Sequence, residues 1–185
     1  MHLIDTDLSK FSVMDYRPGN KLKIVAWYIV SLMFFDNGIP WPYSWKNWIL
    51  RVFGCKTGTG IIIKPNVRIK YPWHLTIGNT CWIGENVWID NLDQVNIANN
   101  VCLSQGSMLL TGNHDYTLSD FPYRLGTIVI EDGVWIGAKS VVCPGIICAS
   151  HSILTVNSVA TKNLEARKIY SGNPASFTRE RIIVR

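Results

Sequence analysis

From Ile61 to Ala160 the chain repeats a short unit in which an apolar or small residue is followed, two positions later, by a mostly aliphatic one. The pairs are Ile61/Ile63, Val67/Ile69, Leu75/Ile77, Cys81/Ile83, Val87/Ile89, Val95/Ile97, Val101/Leu103 and Ser107/Leu109. After a break come Ile128/Ile130, Val134/Ile136, Ser140/Val142, Ile146/Cys148, Ser152/Leu154 and Ser158/Ala160. Alternate residues of a strand face the same way, so each pair sends two side chains inward. The second members are mostly six apart and stretch to eight from Ile69 to Ile77 and from Ile89 to Ile97. Ile63, Ile83 and Leu103 are therefore twenty apart, as are Ile69, Ile89 and Leu109. Three pairs per twenty residues describe one triangular coil, with the two extra residues at the same corner each time. This period predicts an all-β parallel β-helix, in which stacked coils bury together what no single coil buries alone. Glycine and asparagine after the aliphatic residue, as in Ile77-Gly78-Asn79, Ile83-Gly84-Glu85-Asn86 and Ile136-Gly137-Ala138, suit corners of positive φ. An ordinary sheet of short strands would need hairpin turns, and residues 61–109 carry no regular hairpin signal.

The residue between the two members of a pair faces outward. One such column reads Ile62, Trp82, Cys102, Trp135 and Ile153. A wholly apolar column calls for a cover, either another subunit or the N-terminal segment. Cyclic closure with further copies buries such a column without open edges. The neighbouring column, Arg68, Trp88, Met108, Val141 and Val159, is more mixed, and the third begins with Thr76 and Asn96. Ahead of Gly54 the pattern is helical, over 21–35 and 45–53, with the breaker-rich stretch Asn37-Gly38-Ile39-Pro40-Trp41-Pro42 between. The first helix is apolar nearly all round and must be covered by something. Packing against the β-helix is the preferred reading. The alternative is peripheral contact with anionic lipid through Tyr28, Trp41, Trp45 and Trp48 with Lys21, Lys23, Lys46 and Arg51. Three regions follow: an extension over 1–57, the β-helix over 58–162 and a C-terminal tail over 163–185.

Between Leu109 and Ile130 the interval jumps to 21. The inserted loop, 110–127, leaves the helix at the corner that already carried the two-residue bulges. Long polar loops on rigid scaffolds are where function concentrates. This one holds His114, whose residue type exchanges protons near neutral pH because its unperturbed pKa is about 6.5. Asp115, Tyr116 or a nearby carbonyl could hold its ring in one tautomer.

Composition narrows the classes further. Hydrophobic residues make up 48% of 185, enough for a real core. The net charge of +5 fits an anionic partner such as a phosphorylated cofactor. No nucleic-acid motif or long basic run is present, so nucleic acid is not expected. The five cysteines, Cys55, Cys81, Cys102, Cys143 and Cys148, show no zinc-ribbon spacing and read as free thiols in a reducing cytoplasm. Met1 to Lys10 lacks the apolar core of a signal peptide. The longest apolar run, Ile24 to Phe35, is 12 residues, and a bilayer takes about 20. A cytoplasmic location is expected.

The repeats together with Thr111-Gly112-Asn113-His114-Asp115-Tyr116 resemble the hexapeptide-repeat acetyltransferases. Over nearly its full length the chain is similar to the branch of exopolysaccharide biosynthesis. The similarity runs from Phe11-Ser12-Val13 through Tyr71-Pro72-Trp73-His74 and Val134-Trp135-Ile136 to Gly172-Asn173-Pro174-Ala175. The resemblance implies a left-handed helix, although parallel connections are normally right-handed. It implies direct acetyl transfer from acetyl-CoA to a carbohydrate hydroxyl, with His114 as general base, and, together with the apolar outward column, a homotrimer with active sites between subunits. The backbone N–H of Ala138 would meet the oxyanion. Trp135, Ala138, Thr161, Lys162 and Arg179 match cofactor positions, with Lys162 suited to phosphate. Where relatives carry an acceptor-binding asparagine this chain has Gly84, which leaves Glu85, Asp90 and Asp115 as acceptor-side candidates. The rival acceptor is the amine of a nucleotide-linked sugar. A metal-dependent β-helix hydratase would need three histidines on zinc. The four histidines, His2, His74, His114 and His151, are scattered, so no metal is expected. A purely structural or ice-binding helix would show outward threonine rows, which are missing.

Overall fold

The computed structural model describes residues 5–13 and 16–184; His2, with residues 1, 3, 4, 14, 15 and 185, lies outside the described residues. The chain winds as a left-handed parallel β-helix of about six turns. Face A stacks Lys56–Thr57, Leu75–Ile77, Val95–Ile97, Ile128–Ile130 and Ile147–Cys148. Face B stacks Ile62–Ile63, Trp82–Ile83, Cys102–Leu103, Trp135–Ile136 and Ile153–Leu154, and face C stacks Arg68–Ile69, Trp88–Asp90, Met108–Leu110, Val141–Val142 and Val159–Ala160. The register follows the period: Ile63 pairs with Ile83 and Ile83 with Leu103, all parallel. Every member of the fourteen pairs is buried, none more than 6% exposed. Each buried Ile, Leu or Val contributes roughly 1.5–3 kcal/mol relative to exposure, so the stack holds itself together along its whole length.

The corners correct one expectation. Positive φ falls at Asn66, Thr80, Asn86, Asn100, Gly106 and Asn157, one residue ahead of the next inward side chain. It does not fall at Gly78, Gly84 or Gly137, which directly follow the aliphatic residue. Those glycines answer a different need. A Cβ on Gly84 would lie 2.8 Å from the Gln105 nitrogen, and one on Gly137 2.6 Å from the Thr155 carbonyl carbon. The coils approach too closely there for any side chain. At the corner between faces A and B a ladder of side-chain oxygens runs beside the backbone pairing. The Thr59 N–H donates to Asn79 Oδ1, that of Asn79 to Asn99 Oδ1, and that of Asn99 to Asp132 Oδ1, at 2.7–2.9 Å.

Two helices close the first coil. Helix α1 is Lys21–Phe34, capped by the Asn20 side chain, which accepts from the Leu22 N–H, and α2 is Tyr43–Val52. The first coil's outer carbonyls have no preceding coil to pair with. Trp27 Nε1 donates to the Ile69 carbonyl, Asn47 Nδ2 to that of Ile61, and Lys46 Nζ to those of Ile63 and Lys64. An open edge that would otherwise invite another strand is thereby satisfied. Lys46 is fully buried, so it is an end cap and does not meet lipid headgroups as the alternative reading had it. At the far end, Lys168–Gly172 joins face B in parallel and Ala175–Glu180 returns antiparallel, so two strands lie in the segment expected as a tail.

Candidate active site

The inserted segment is a β-hairpin, Gly112–His114 against Tyr123–Leu125, rather than an irregular loop. It leaves at the corner between faces C and A, and its stem is anchored there. Thr111 is buried, its hydroxyl donates to the Asp90 carbonyl at 3.0 Å, and it accepts from the Asp93 N–H at 2.9 Å. Beneath it, Asn91 Oδ1 accepts from the N–H groups of Lys70 and Tyr71, which explains the two-residue bulge of the preceding coils. Gly126 closes the stem, where a Cβ would meet the Gly145 nitrogen at 2.5 Å.

His114 ends the first hairpin strand. Its Nδ1 lies 2.7 Å from the Phe121 carbonyl oxygen. A carbonyl only accepts, so Nδ1 carries the proton and the neutral ring presents Nε2 as a free base. The ring stacks on Phe121 at 4.4 Å and meets Tyr123 at 5.0 Å and Phe11 at 5.6 Å. Phe11 belongs to the N-terminal segment, which is tied to the hairpin by the Asp7 N–H donating to the Ser119 carbonyl at 2.8 Å. Tyr16 packs edge-on against Tyr123 and its hydroxyl donates to the Leu92 carbonyl. The ring is thus fixed by one carbonyl and three aromatic neighbours. Phe11, Tyr16, Phe121 and Tyr123 carry no functional signal in the sequence, because their role depends on non-local packing that no local spacing encodes.

Asp115 does not orient the ring. Its carboxylate accepts from the N–H and the hydroxyl of Thr117, and those bonds hold it below the usual carboxylate range. Tyr116 is exposed at the hairpin turn. Asp90 lies at the foot of the hairpin, paired with Lys70 at 3.0 Å, in a groove of about 360 Å³ between α1 and face C. Glu85 is exposed at the corner between faces B and C, away from the hairpin.

The other matched residues divide into two places. Thr161 and Lys162 are exposed at the corner between faces C and A, two coils beyond the hairpin. Trp135 lies on face B, the face opposite that corner, with its Nε1 donating to Ser104 Oγ at 2.8 Å. Arg179 shares a groove with Trp135, Ile153 and Ile169. Ala138 sits at the corner between faces B and C, and its N–H donates to nothing among the described residues. The same is true of Glu85 and Gln105 at that corner, so a free donor is a property of the corner. Within one chain, then, Trp135 and Arg179 do not meet His114. Trp82 and Trp135 remain 57% and 44% exposed, because α1 and α2 cover the first coil and not this column. No group of three His, Cys, Asp or Glu side chains is placed to hold a metal among the described residues.

The sequence matches no protein-family model. It is 36% identical over 177 residues, 95% of this chain and 97% of the relative, to WcaF of Escherichia coli (strain K12), named for colanic acid biosynthesis as an acetyltransferase. It is 24% identical over 155 residues, 81% of this chain and 76% of the relative, to the galactoside O-acetyltransferase of the same organism. Among solved structures, the hexapeptide-repeat acetyltransferase VCA0836 of Vibrio cholerae matches with a TM-score of 0.78 at 20% identity, over 86% of this chain and 91% of that one. Galactoside acetyltransferase in complex with coenzyme A matches with 0.77 at 21%, over 86% and 80%. A relative so similar over nearly both whole lengths, on a coil of this period, places the chain in the hexapeptide-repeat acetyltransferase family.

Proposed function

We propose that the protein moves an acetyl group from acetyl-CoA to a hydroxyl of a sugar or polysaccharide precursor, with His114 as the general base. The observation that carries this reading is the His114 ring, held by the Phe121 carbonyl so that Nε2 is the basic nitrogen. Nε2 takes the proton of the acceptor hydroxyl while its oxygen attacks the thioester carbonyl carbon. The developing oxyanion accepts the Ala138 N–H, a donor with no other acceptor. The intermediate collapses by breaking the C–S bond, and the imidazolium returns its proton to the departing thiolate. Trp135 and Arg179 on face B, and Thr161 and Lys162 at the corner between faces C and A, are the candidate cofactor contacts. Of the acceptor-side candidates, Asp115 directly follows His114 on the hairpin, Asp90 lies at the hairpin's foot, and Glu85 is the remote one.

Because His114 and Trp135 occupy opposite sides of one chain, a second copy completes the site. The exposed column around Trp82 and Trp135 is the surface for a homotrimer, and the protein acts in the cytoplasm. An amine on a nucleotide-linked sugar would use the same base. The test is thiol release from acetyl-CoA with a panel of free, nucleotide-linked and lipid-linked sugars, followed by hydroxylamine treatment of the product. An ester is cleaved and an amide survives. No acetyl transfer to any saccharide overturns the carbohydrate reading, and a hydroxylamine-stable product overturns the hydroxyl acceptor.

A further inference from the structure

The two N-terminal helices have each used one face to close the first coil. The opposite faces are bare. On α1, Leu22, Val25, Ile29 and Leu32 fall at i, i+3, i+7 and i+10 and form one exposed stripe, with Leu22 80% exposed and Tyr28 and Met33 beside it. On α2, Trp45, Trp48 and Val52 form a second stripe, with Trp48 64% exposed. Between the helices lies Trp41, whose ring is 5.0 Å from the core-facing Phe34 of α1 and 5.9 Å from Trp45 of α2, and whose Nε1 donates to the Met33 carbonyl at 3.0 Å. Isolated surface hydrophobics need no explanation, but two stripes on consecutive helices do.

Charge identifies the occupant. Residues 16–84 hold nine Lys and Arg and a single acid, Asp36, whereas the rest of the chain holds nine against twelve. The segment's net charge of +8 exceeds that of the whole protein, +5. Apart from buried Lys46 and half-buried Lys23, these cations are exposed: Lys21 starts α1, Arg51 lies in the last turn of α2, and Lys64 sits 6.0 Å from the Tyr43 ring. Aromatic and aliphatic stripes on a segment with this excess of exposed cations, Lys70 being paired with Asp90 and Lys64 sharing a groove with Glu85, match the boundary between lipid headgroups and acyl chains. Nucleic acid would leave the stripes unused, and a face-to-face contact with a second copy would set cation against cation. At 14 residues α1 is too short to span a bilayer.

We propose that this helix pair docks the enzyme on an anionic lipid surface, lying in the interface without crossing it. The test uses the full chain in sedimentation with vesicles of phosphatidylcholine, with and without phosphatidylglycerol. Partitioning is expected to be about tenfold or more stronger on the anionic vesicles at low salt and to weaken as salt screens the cations. The double variant Leu22→Glu/Trp48→Glu and the double variant Lys21→Glu/Lys64→Glu should each lose about tenfold in partitioning, with the melting temperature unchanged because all four side chains point to solvent. Failure of the folded chain to bind anionic vesicles at low salt overturns the proposal. So does binding that neither variant weakens. If Leu22→Glu/Trp48→Glu instead lowers the mass seen by light scattering while vesicles stay empty, the face is a contact between copies and the proposal is wrong. These readouts do not depend on acetyl transfer, so they stand or fall apart from the catalytic reading.

Discussion

Leu103 and His114 are eleven residues apart in the chain and belong to differently built regions. Leu103 is fully buried, with Ile83 on the coil before it and Ile136 on the coil after. Its place is dictated by a period that repeats on both sides, so the stack is over-determined. His114 sits outside that period, on a hairpin held by one carbonyl, a few rings and the N-terminal segment. Stability resides in the region where neighbours repeat, and reactivity in the region where they do not. A side chain must stay half-exposed to meet a substrate, and a coil interior cannot offer that.

The sharpest way to break this division is at its reactive end. His114→Asn should lower kcat by roughly 10²–10⁴-fold, the usual worth of a general base, while the melting temperature moves by no more than a degree or two. The KM for acetyl-CoA should stay near its native value, since the candidate cofactor contacts lie elsewhere; Lys162→Ala should raise that KM with kcat less affected. Steady-state rates with the acceptor sugar identified by the panel decide it. Activity of His114→Asn near the native rate would remove His114 from the mechanism.

Leu103→Ala is the converse. Deleting a fully buried leucine should cost about 2–5 kcal/mol, because the rigid coils on either side cannot collapse into the gap. For a chain of this size that lowers the melting temperature by roughly 5–15 °C, whereas kcat per folded molecule should stay native. A small shift would mean that the stack tolerates vacancies and is less rigid than its register implies.

The same division governs what the sequence makes legible. The fourteen inward pairs were readable because a strand's two-residue alternation and the twenty-residue coil recur often enough to fix the register. The hairpin was readable only as an interruption. Its strands pair Gly112–His114 with Tyr123–Leu125 across eight intervening residues, and no tight-turn signal announces such a pairing. The role of Phe121 was invisible because its carbonyl, not its side chain, faces His114. Gly84 and Gly137 were legible as corner residues but not for the right reason, since close approach of coils leaves no local mark. Lys46 looked like a surface cation because nothing in its neighbourhood says that it caps orphaned carbonyls.

Lys46 also gives the stack a pH signature that the hairpin lacks. Burial lowers its ammonium from 10.5 to about 8. The unfolded chain keeps that proton up to its ordinary pKa, so between about pH 8 and 10.5 unfolding takes up a proton that the folded protein has released. Stability from this group therefore rises as pH climbs through that window and is lost as pH falls back through 8. Relative to Lys46→Met, which has nothing to titrate, the native chain should gain roughly 1–2 kcal/mol between pH 7.5 and 10, a discounted part of the full shift. Urea unfolding of both at the two pH values measures the difference. A constant gap would show that Lys46 keeps its charge against the Ile63 and Lys64 carbonyls.

The smallest expected effect probes the seam between the regions. Phe11 comes from the N-terminal segment, touches the His114 ring at 5.6 Å and packs edge-on to Tyr123 at 5.3 Å. Aromatic pairs of this kind are worth about 0.5–1.5 kcal/mol beyond the area they bury. Phe11 packs on hairpin rings, whereas the segment's bond to the coils comes from Tyr16, so Phe11→Ala should barely move global unfolding. The loss should instead appear in the orientation of the imidazole. Converted to rate, the same energy is roughly a two- to tenfold fall in kcat, with the KM for acetyl-CoA unchanged. Phe11→Leu, which keeps bulk but not ring geometry, should recover only part of it. A native kcat in Phe11→Ala would mean that the Phe121 carbonyl alone orients His114 and that the N-terminal segment merely shields the hairpin. A fall in melting temperature with native kcat would instead assign the segment to the stack.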